Sequence, residues 1–304
     1  MINRYNCIYK SLSFKEFIMK RHAIIGAGAV GSILYHLLSS NQELEIDIFA
    51  KEERIITIEH KGQIIEQSKE TKVFSSTEKY DCIYICVKAT ALSNLLLSIK
   101  SMCHADTIII LCQNGISQSE LVQHPHTYHA VVYISGQKKG NRVIYFQDNT
   151  LILPDEPRLQ PLKLITDQSQ LNIVLDPNHA KKQWIKLLVN LGINSITALT
   201  KNTAQVLEVQ DIYTLTEQLL EEGVTIASHH GIDLPEDIIA SIMSIYSTYD
   251  ASMGTSMYYD VINGQTTEYE YIQGYLNELS AKYQLHTPLL NIITLLLKGY
   301  QYKK

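Results

Sequence analysis

The sequence predicts an α/β chain with a second, all-helical unit at its C-terminal end. Three observations carry this. Residues 21–38, RHAIIGAGAVGSILYHLL, run from a short apolar segment through Gly26, Gly28 and Gly31 into an apolar helical pattern of Val30, Ile33, Leu34, Leu37 and Leu38. Two uninterrupted apolar runs come next, DCIYICV at 81–87 and TIIILC at 107–112. Runs of that kind form parallel strands covered on both faces. Beyond the break at Asp176, Pro177 and Asn178 the chain reads as helix, punctuated at Gly231, Pro235, Asn263 with Gly264, and Thr287 with Pro288.

The first stretch is strand, tight turn and helix in that order, the setting in which G-x-G-x-x-G binds a dinucleotide. Gly26 lets the chain leave the strand sharply, Gly28 leaves room for a pyrophosphate, and Gly31 lets the helix approach the sheet. The helix N-terminus then presents unpaired N–H groups to the phosphates. Gly26, Ala27, Gly28, Ala29, Val30 and Gly31 are therefore candidate cofactor contacts in a Rossmann-like N-terminal domain.

Residues 44–50, LEIDIFA, read as the second strand. An NAD site usually carries an acid at the end of that strand to hold the ribose 2′-hydroxyl. Here Ala50 and Lys51 stand there, with Arg54 near, and Asp47 comes too early. A cation suits a 2′-phosphate, so Lys51 points to NADP(H). Against it, Glu52 and Glu53 beside the lysine also suit an ordinary solvated loop. Lys88 succeeds the third strand and Asn114, within Gln113–Asn114–Gly115, the fourth. Both polar residues fall at the carboxyl edge of the sheet, where open α/β sheets bind ligands. Residues 129–152 change to short β-like pieces that suggest hairpins. The domain boundary is expected at 177, giving a nucleotide-binding domain over 19–177 and a helical substrate domain over 178–304. Met19 before Lys20 and Arg21 is a natural start, so residues 1–18 are expected to be a start-site artefact or a loosely attached extension. An intact mass that includes Met1 would sink the artefact reading.

Composition excludes several classes. A chain of 304 residues exceeds one comfortable core, which favours two domains. The net charge of −5 offers nothing to a nucleic acid. No apolar run approaches the roughly 18 residues of a membrane helix, and the N-terminus has no apolar leader. The five cysteines, Cys7, Cys82, Cys86, Cys103 and Cys112, form no C-x-x-C and sit mostly in apolar stretches. They read as reduced thiols of a cytoplasmic protein. His124, His126 and His129 lack carboxylate or cysteine company, so no metal site is expected.

Residues 184–199, WIKLLVNLGINSITAL, form the second informative stretch. At 100° per residue, Lys186, Asn190, Asn194 and Thr197 fall within about 80° of one another. The rest of the circumference is mostly apolar, the mark of a buried helix. Burying a lysine and two asparagines without partners costs several kcal/mol. The stripe must be paired or face a polar cleft; asparagines bonding between helices would be the plainer explanation, and the lysine argues for the cleft. Further on, Thr267 and Glu270 match a capping box, which would make Glu268 a first-turn acid.

These residues resemble the ketopantoate reductases (2-dehydropantoate 2-reductases). The matching pieces are GAGAVG at 26–31, VK at 87–88, QNG at 113–115, KLLVNLGIN at 186–194 with TAL at 197–199, SM at 256–257 and TEYEYIQG at 267–274. The resemblance implies a Rossmann-like domain followed by a helical bundle, and reduction of 2-dehydropantoate to pantoate by NADPH for pantothenate and coenzyme A synthesis. It implies that the glycines hold the pyrophosphate of NADP(H). Lys88 and Asn114 would lie beside nicotinamide and substrate, and Lys186 would be the general acid. Asn190 and Asn194 would hold the substrate hydroxyl and Ser256 its carboxylate, while Glu268 would hold the hydrogen-bond network. Three departures stand out: Ser195 replaces a usual proline, Ala204 a usual asparagine, and VVYISG at 131–136 a threonine-rich, histidine-containing segment. They bear on substrate more than on cofactor. Two alternatives stay open, a paralogue reducing another small 2-oxo acid and a non-catalytic NADP-binding module. A homodimer is open as well.

Overall fold

The computed structural model describes residues 19–74 and 78–302; the proposed extension over 1–18, with Cys7, lies outside the described residues. Strands β1 (Arg21–Ile25), β2 (Glu45–Ala50), β3 (Thr57–His60), β4 (Gln63–Glu66), β5 (Lys72–Val73), β6 (Tyr80–Ile85), β7 (Cys103–Leu111), β8 (Thr127–His129), β9 (Val131–Lys139), β10 (Arg142–Pro154) and β11 (Asn172–Asp176) build two sheets. The first has the order β5-β2-β1-β6-β7-β8, and every neighbouring pair in it is parallel. Its strands are apolar throughout because both faces are covered. Ala23 and Ile25 of β1 point into one buried cluster while Ile24 points into the other.

One face carries helices α2 (Ala89–Leu92) and α3 (Leu96–Ser101). On the other, α1 (Ala29–Leu38) lies between the parallel sheet and the second sheet, sharing one core with Ile58, Val143, Leu151 and Leu153. That second sheet is mixed. β9 and β10 form the expected hairpin, antiparallel with irregular register around Gln147. Residues 142–145 of β10 also pair in parallel with β3, and residues 150–154 with β11. Sequence patterning gives no sign of the parallel pairing of β3 with β10 or of β11 with β10, because the partners lie far apart along the chain. Helix α4 (Gln160–Thr166) closes this layer.

The helical part is α5 (His179–Thr200), α6 (Gln210–His229), α7 (Ile238–Ser247), α8 (Ser256–Ile262), α9 (Gln273–Lys282) and α10 (Pro288–Gln301). Helix α5 is its axis: Leu187, Leu188 and Leu191 pack with Leu219, Leu220, Ile242, Leu276 and Leu290. No helix among the described residues is long and apolar enough to cross a membrane.

The capping box does not form. Thr267 turns its backbone N–H and its hydroxyl to the Gln301 side chain. Glu268 leads instead into a single turn of 3₁₀ helix at Tyr269–Tyr271. Both signals were local, and the long-range contact with α10 prevailed. Glu268 is thereby freed to point elsewhere.

Candidate active site

The glycine turn leaves β1 between two strands. The Gly26 N–H donates to Phe49 O at 2.9 Å, and its φ of +111° favours glycine. A Cβ at Gly31 would stand 1.9 Å from Gly26 O, so only glycine lets α1 pack this close. A Cβ at Gly28 would meet nothing within 4 Å. The space beside Gly28 is open, α1 has no side-chain cap, and no acid sits in its first turn. Unpaired N–H groups beside open space fit a pyrophosphate.

Beyond β2, Lys51 is exposed, while the Arg54 guanidinium reaches back and donates to Ala27 O at 2.6 Å. Arg54 is thus the cation joined to the glycine turn. Lys138 of β9 adds a second. Burial and the charge of Arg54 hold its ammonium below the usual lysine range, with Glu52 opposing. Strand alternation could not reveal Lys138, since it comes from the other sheet.

Lys88 and Asn114 emerge at the carboxyl ends of β6 and β7, as expected from the apolar runs that precede them. Lys88 Nζ donates to Asp260 Oδ1 at 2.6 Å and to Thr266 O at 3.1 Å. Asp260 stands on α8, so the pair joins the sheet edge to the helical part. Its own signal in sequence was nil: a lone acid mid-helix.

Glu268 closes the same seam. The Ala89 N–H donates to Glu268 Oε1 at 2.9 Å, and Asn114 Nδ2 donates to Oε2 at 3.1 Å. Asn190 Nδ2 of α5 donates in turn to Asn114 Oδ1 at 3.3 Å. A continuous chain of hydrogen bonds therefore runs from the α2 backbone through Glu268 and Asn114 to the polar stripe of α5. Burial raises the Glu268 carboxyl above the ordinary carboxylate range. The bonds from Ala89 and Asn114 pull it back, Asp260 adds to the rise, and Lys88 opposes it.

Two residues of the α5 stripe, Lys186 and Asn190, line a cavity with Gln113, Asn114, His129 and Val132. Burial lowers the Lys186 ammonium from the usual lysine range, and Asp148 opposes the shift. The Lys186 ammonium lies 5.1 Å from the centre of the Tyr133 ring. Asn194 is 3% exposed. Thr197, the fourth stripe residue, is fully buried and shares a hydroxyl–hydroxyl bond of 2.8 Å with Thr255, the cap of α8. Ser256, beside that cap, is exposed.

Ser195 lies off the stripe. It is fully buried, donates to Leu191 O and accepts from Gln273 Nε2 at 2.8 Å. That departure from the family pattern is met inside the helical core rather than in the cleft. Ala204 is also buried, and its N–H is bound to Met253 O at 2.9 Å.

Two family models match the chain: "Ketopantoate reductase PanE/ApbA" over residues 22–154 and "Ketopantoate reductase PanE/ApbA C terminal" over residues 178–301. A solved dimeric ketopantoate reductase from Staphylococcus aureus is 37% identical, with a TM-score of 0.89, over 92% of this chain and 98% of that one. A 2-dehydropantoate 2-reductase of Streptococcus pyogenes is 24% identical over 89% of this chain and 94% of its own length. The corresponding Lactococcus lactis protein is 25% identical over 90% and 96%. A D-mandelate dehydrogenase solved with NADH and anilino(oxo)acetate shares the fold at 22% identity and a TM-score of 0.85, over 92% of this chain and 98% of that one.

Proposed function

The chain belongs to the ketopantoate reductase family and is an oxidoreductase, and from that premise we propose that it reduces 2-dehydropantoate to pantoate with NADPH in the cytoplasm, for pantothenate and coenzyme A synthesis. The observation that carries this reading is the joined network of Glu268, Asn114 and Asn190 beside Lys186. A module that merely binds a nucleotide needs no buried carboxylate and lysine across its domain seam. We take residues 19–177 as the nucleotide-binding domain and 178–304 as the helical substrate domain. A homodimer follows by likeness to the dimeric Staphylococcus aureus relative.

The residues fit a dinucleotide. Gly26, Ala27, Gly28, Ala29, Val30 and Gly31 would hold its pyrophosphate, with Lys88 and Asn114 toward the nicotinamide. A bound dihydronicotinamide supplies the hydride for the carbonyl carbon. The protein's part is charge and placement. Negative charge grows on the carbonyl oxygen as the bond order falls, and the Lys186 ammonium stabilises it and donates the proton. Asn190, Asn194 and Ser256 are neutral donors that orient hydroxyl and carboxylate without competing for that proton. Glu268 holds Asn114, and through it Asn190, in one orientation. Lys88, neutralised by Asp260, ties the two domains at the cleft.

Two outcomes at the ribose end are expected. Arg54→Glu should weaken NADPH about tenfold or more relative to NADH, since it removes a charge-assisted donor and adds repulsion. Lys51→Glu should do less, because Lys51 is exposed to solvent. Titration of both nucleotides by fluorescence checks this. If Lys51→Glu moves the ratio more, Lys51 reads the phosphate.

A second reading is a paralogue acting on another small 2-oxo acid, favoured by Tyr133 standing where the family has a threonine-rich segment. The purified chain with NADPH and 2-dehydropantoate, followed by loss of reduced-nicotinamide absorbance beside NADH and a panel of 2-oxo acids, separates the two. Fast NADPH-selective turnover supports the first. Activity only on another 2-oxo acid supports the second, and bound NADPH without turnover sinks both.

A further inference from the structure

Lys186 has an unusual neighbourhood for a cleft lysine. Among the described residues, no carboxylate or carbonyl stands within ion-pair or hydrogen-bond distance of its Nζ. Three other cations around the cleft are bound: Lys88 to Asp260, Arg54 to Ala27 O, and Lys182 to Asp176 at 2.8 Å. Lys186 instead has the face of the Tyr133 ring, 5.1 Å from Nζ to centroid. Ring faces carry negative electrostatic potential, and a partly desolvated cation over one is bound more strongly than at an open surface. The backbone holds the ring in place. Tyr133 sits in β9 opposite Thr150 of β10, next to the irregular stretch of β10 where Asp148 has a φ of +68°. Such irregularities re-aim side chains beside active sites. Tyr133 keeps 38% of its surface exposed, so the ring is not sealed in the core.

We propose that Tyr133 is a positioning residue for this reaction: its ring face holds the Lys186 ammonium at the cleft. The proposal rests on Lys186 being the proton donor. The other groups around Lys186 make the ring's share separable. Asp148, from β10, supports the charge at longer range. Lys182, one turn earlier on α5, is neutralised by Asp176. His129, across the cavity, is held neutral at working pH, its pKa pushed down to about 4 by burial. Burial raises the hydroxyls of Tyr133 and Tyr249, so both stay uncharged. Among the described residues, the ring and Asp148 are therefore what favours the charged lysine against its burial.

Two measurements on the full chain test this. The first is the rate of Lys186 acetylation by acetic anhydride against pH, read by mass spectrometry without cofactor, since only the neutral amine reacts. The second is the single-turnover rate of NADPH oxidation with 2-dehydropantoate against pH. Tyr133→Leu should lower the acetylation midpoint by about 0.5–1 pH unit, the size of a partly desolvated cation–π contact. The alkaline limb of the turnover rate should move down equally. Tyr133→Phe keeps the ring face and should leave both unchanged. Tyr133→Thr serves as a second ring-less variant should the leucine chain fold poorly. An unmoved midpoint in both ring-less variants, or a Phe variant that falls with them, overturns the proposal. A midpoint that falls while the turnover limb stays put overturns Lys186 as the acid, and the positioning role with it.

Discussion

Lys186→Ala is expected to lower kcat about 10²-fold or more and to leave NADPH affinity nearly unchanged. The glycine turn and Arg54 that would hold the nucleotide are separate from α5, so binding has no reason to follow the lysine. The chemistry does. Without the ammonium, the developing oxyanion is left to neutral donors such as Asn190 and to water. Removing one fixed donor from an oxyanion typically costs about 3–4 kcal/mol, and the proton donor is lost as well. The pH dependence has a definite sign. Burial lowers the Lys186 ammonium from its ordinary range. The acid form is present below that lowered value and is lost as pH rises through it. The alkaline limb of kcat should therefore sit below the usual lysine range and disappear in the alanine variant. An unchanged kcat would refute the acid assignment.

Much of this site was legible because its elements announce themselves locally. The run DCIYICV could only be a strand covered on both faces, and that alone placed Lys88 at the sheet edge. The stripe of Lys186, Asn190, Asn194 and Thr197 is a property of 100° per residue and needs no tertiary knowledge. The hidden parts were set by partners distant in sequence. β3 pairs with β10 some eighty residues later, so no period in either segment reveals the pairing. Thr267 and Glu270 satisfy a local rule that Gln301 overrides. Ser195 looked like a change in the pocket because it adjoins Asn194; the helix turns it 100° away, into Gln273. Tyr133 was visible only as a departure from a family pattern. Its meaning depends on which helix crosses β9, and that is a tertiary fact.

Glu268→Gln is expected to slow turnover about 10- to 100-fold, the value of one hydrogen bond to a charged group. The carboxylate accepts from Ala89 N and from Asn114 Nδ2, two groups that here only donate. A glutamine in its place has one acceptor, so its NH₂ must face one of those donors. If Asn114 turns its amide over to accommodate it, the Asn114 NH₂ then opposes the NH₂ of Asn190, which now donates to Asn114 Oδ1. Either way the chain breaks once, and the break reaches the substrate's hydroxyl through Asn190. Stability should behave differently. The folded-state carboxyl is raised above its unfolded value, chiefly by burial. Its stabilising contribution is then present below the unfolded value and lost as pH rises through the folded one. The parent should therefore lose Tm relative to the glutamine variant as pH rises from 5 to 8, because glutamine carries no such titration, while the variant's kcat stays low at both. An ordinary helix-start acid, favoured in its charged form by the helix dipole, would give the opposite pair, a parent that gains Tm over the variant as pH rises and an unchanged kcat. Melting curves and single-turnover rates on the same preparations distinguish a carboxylate that holds the site from one that caps a turn.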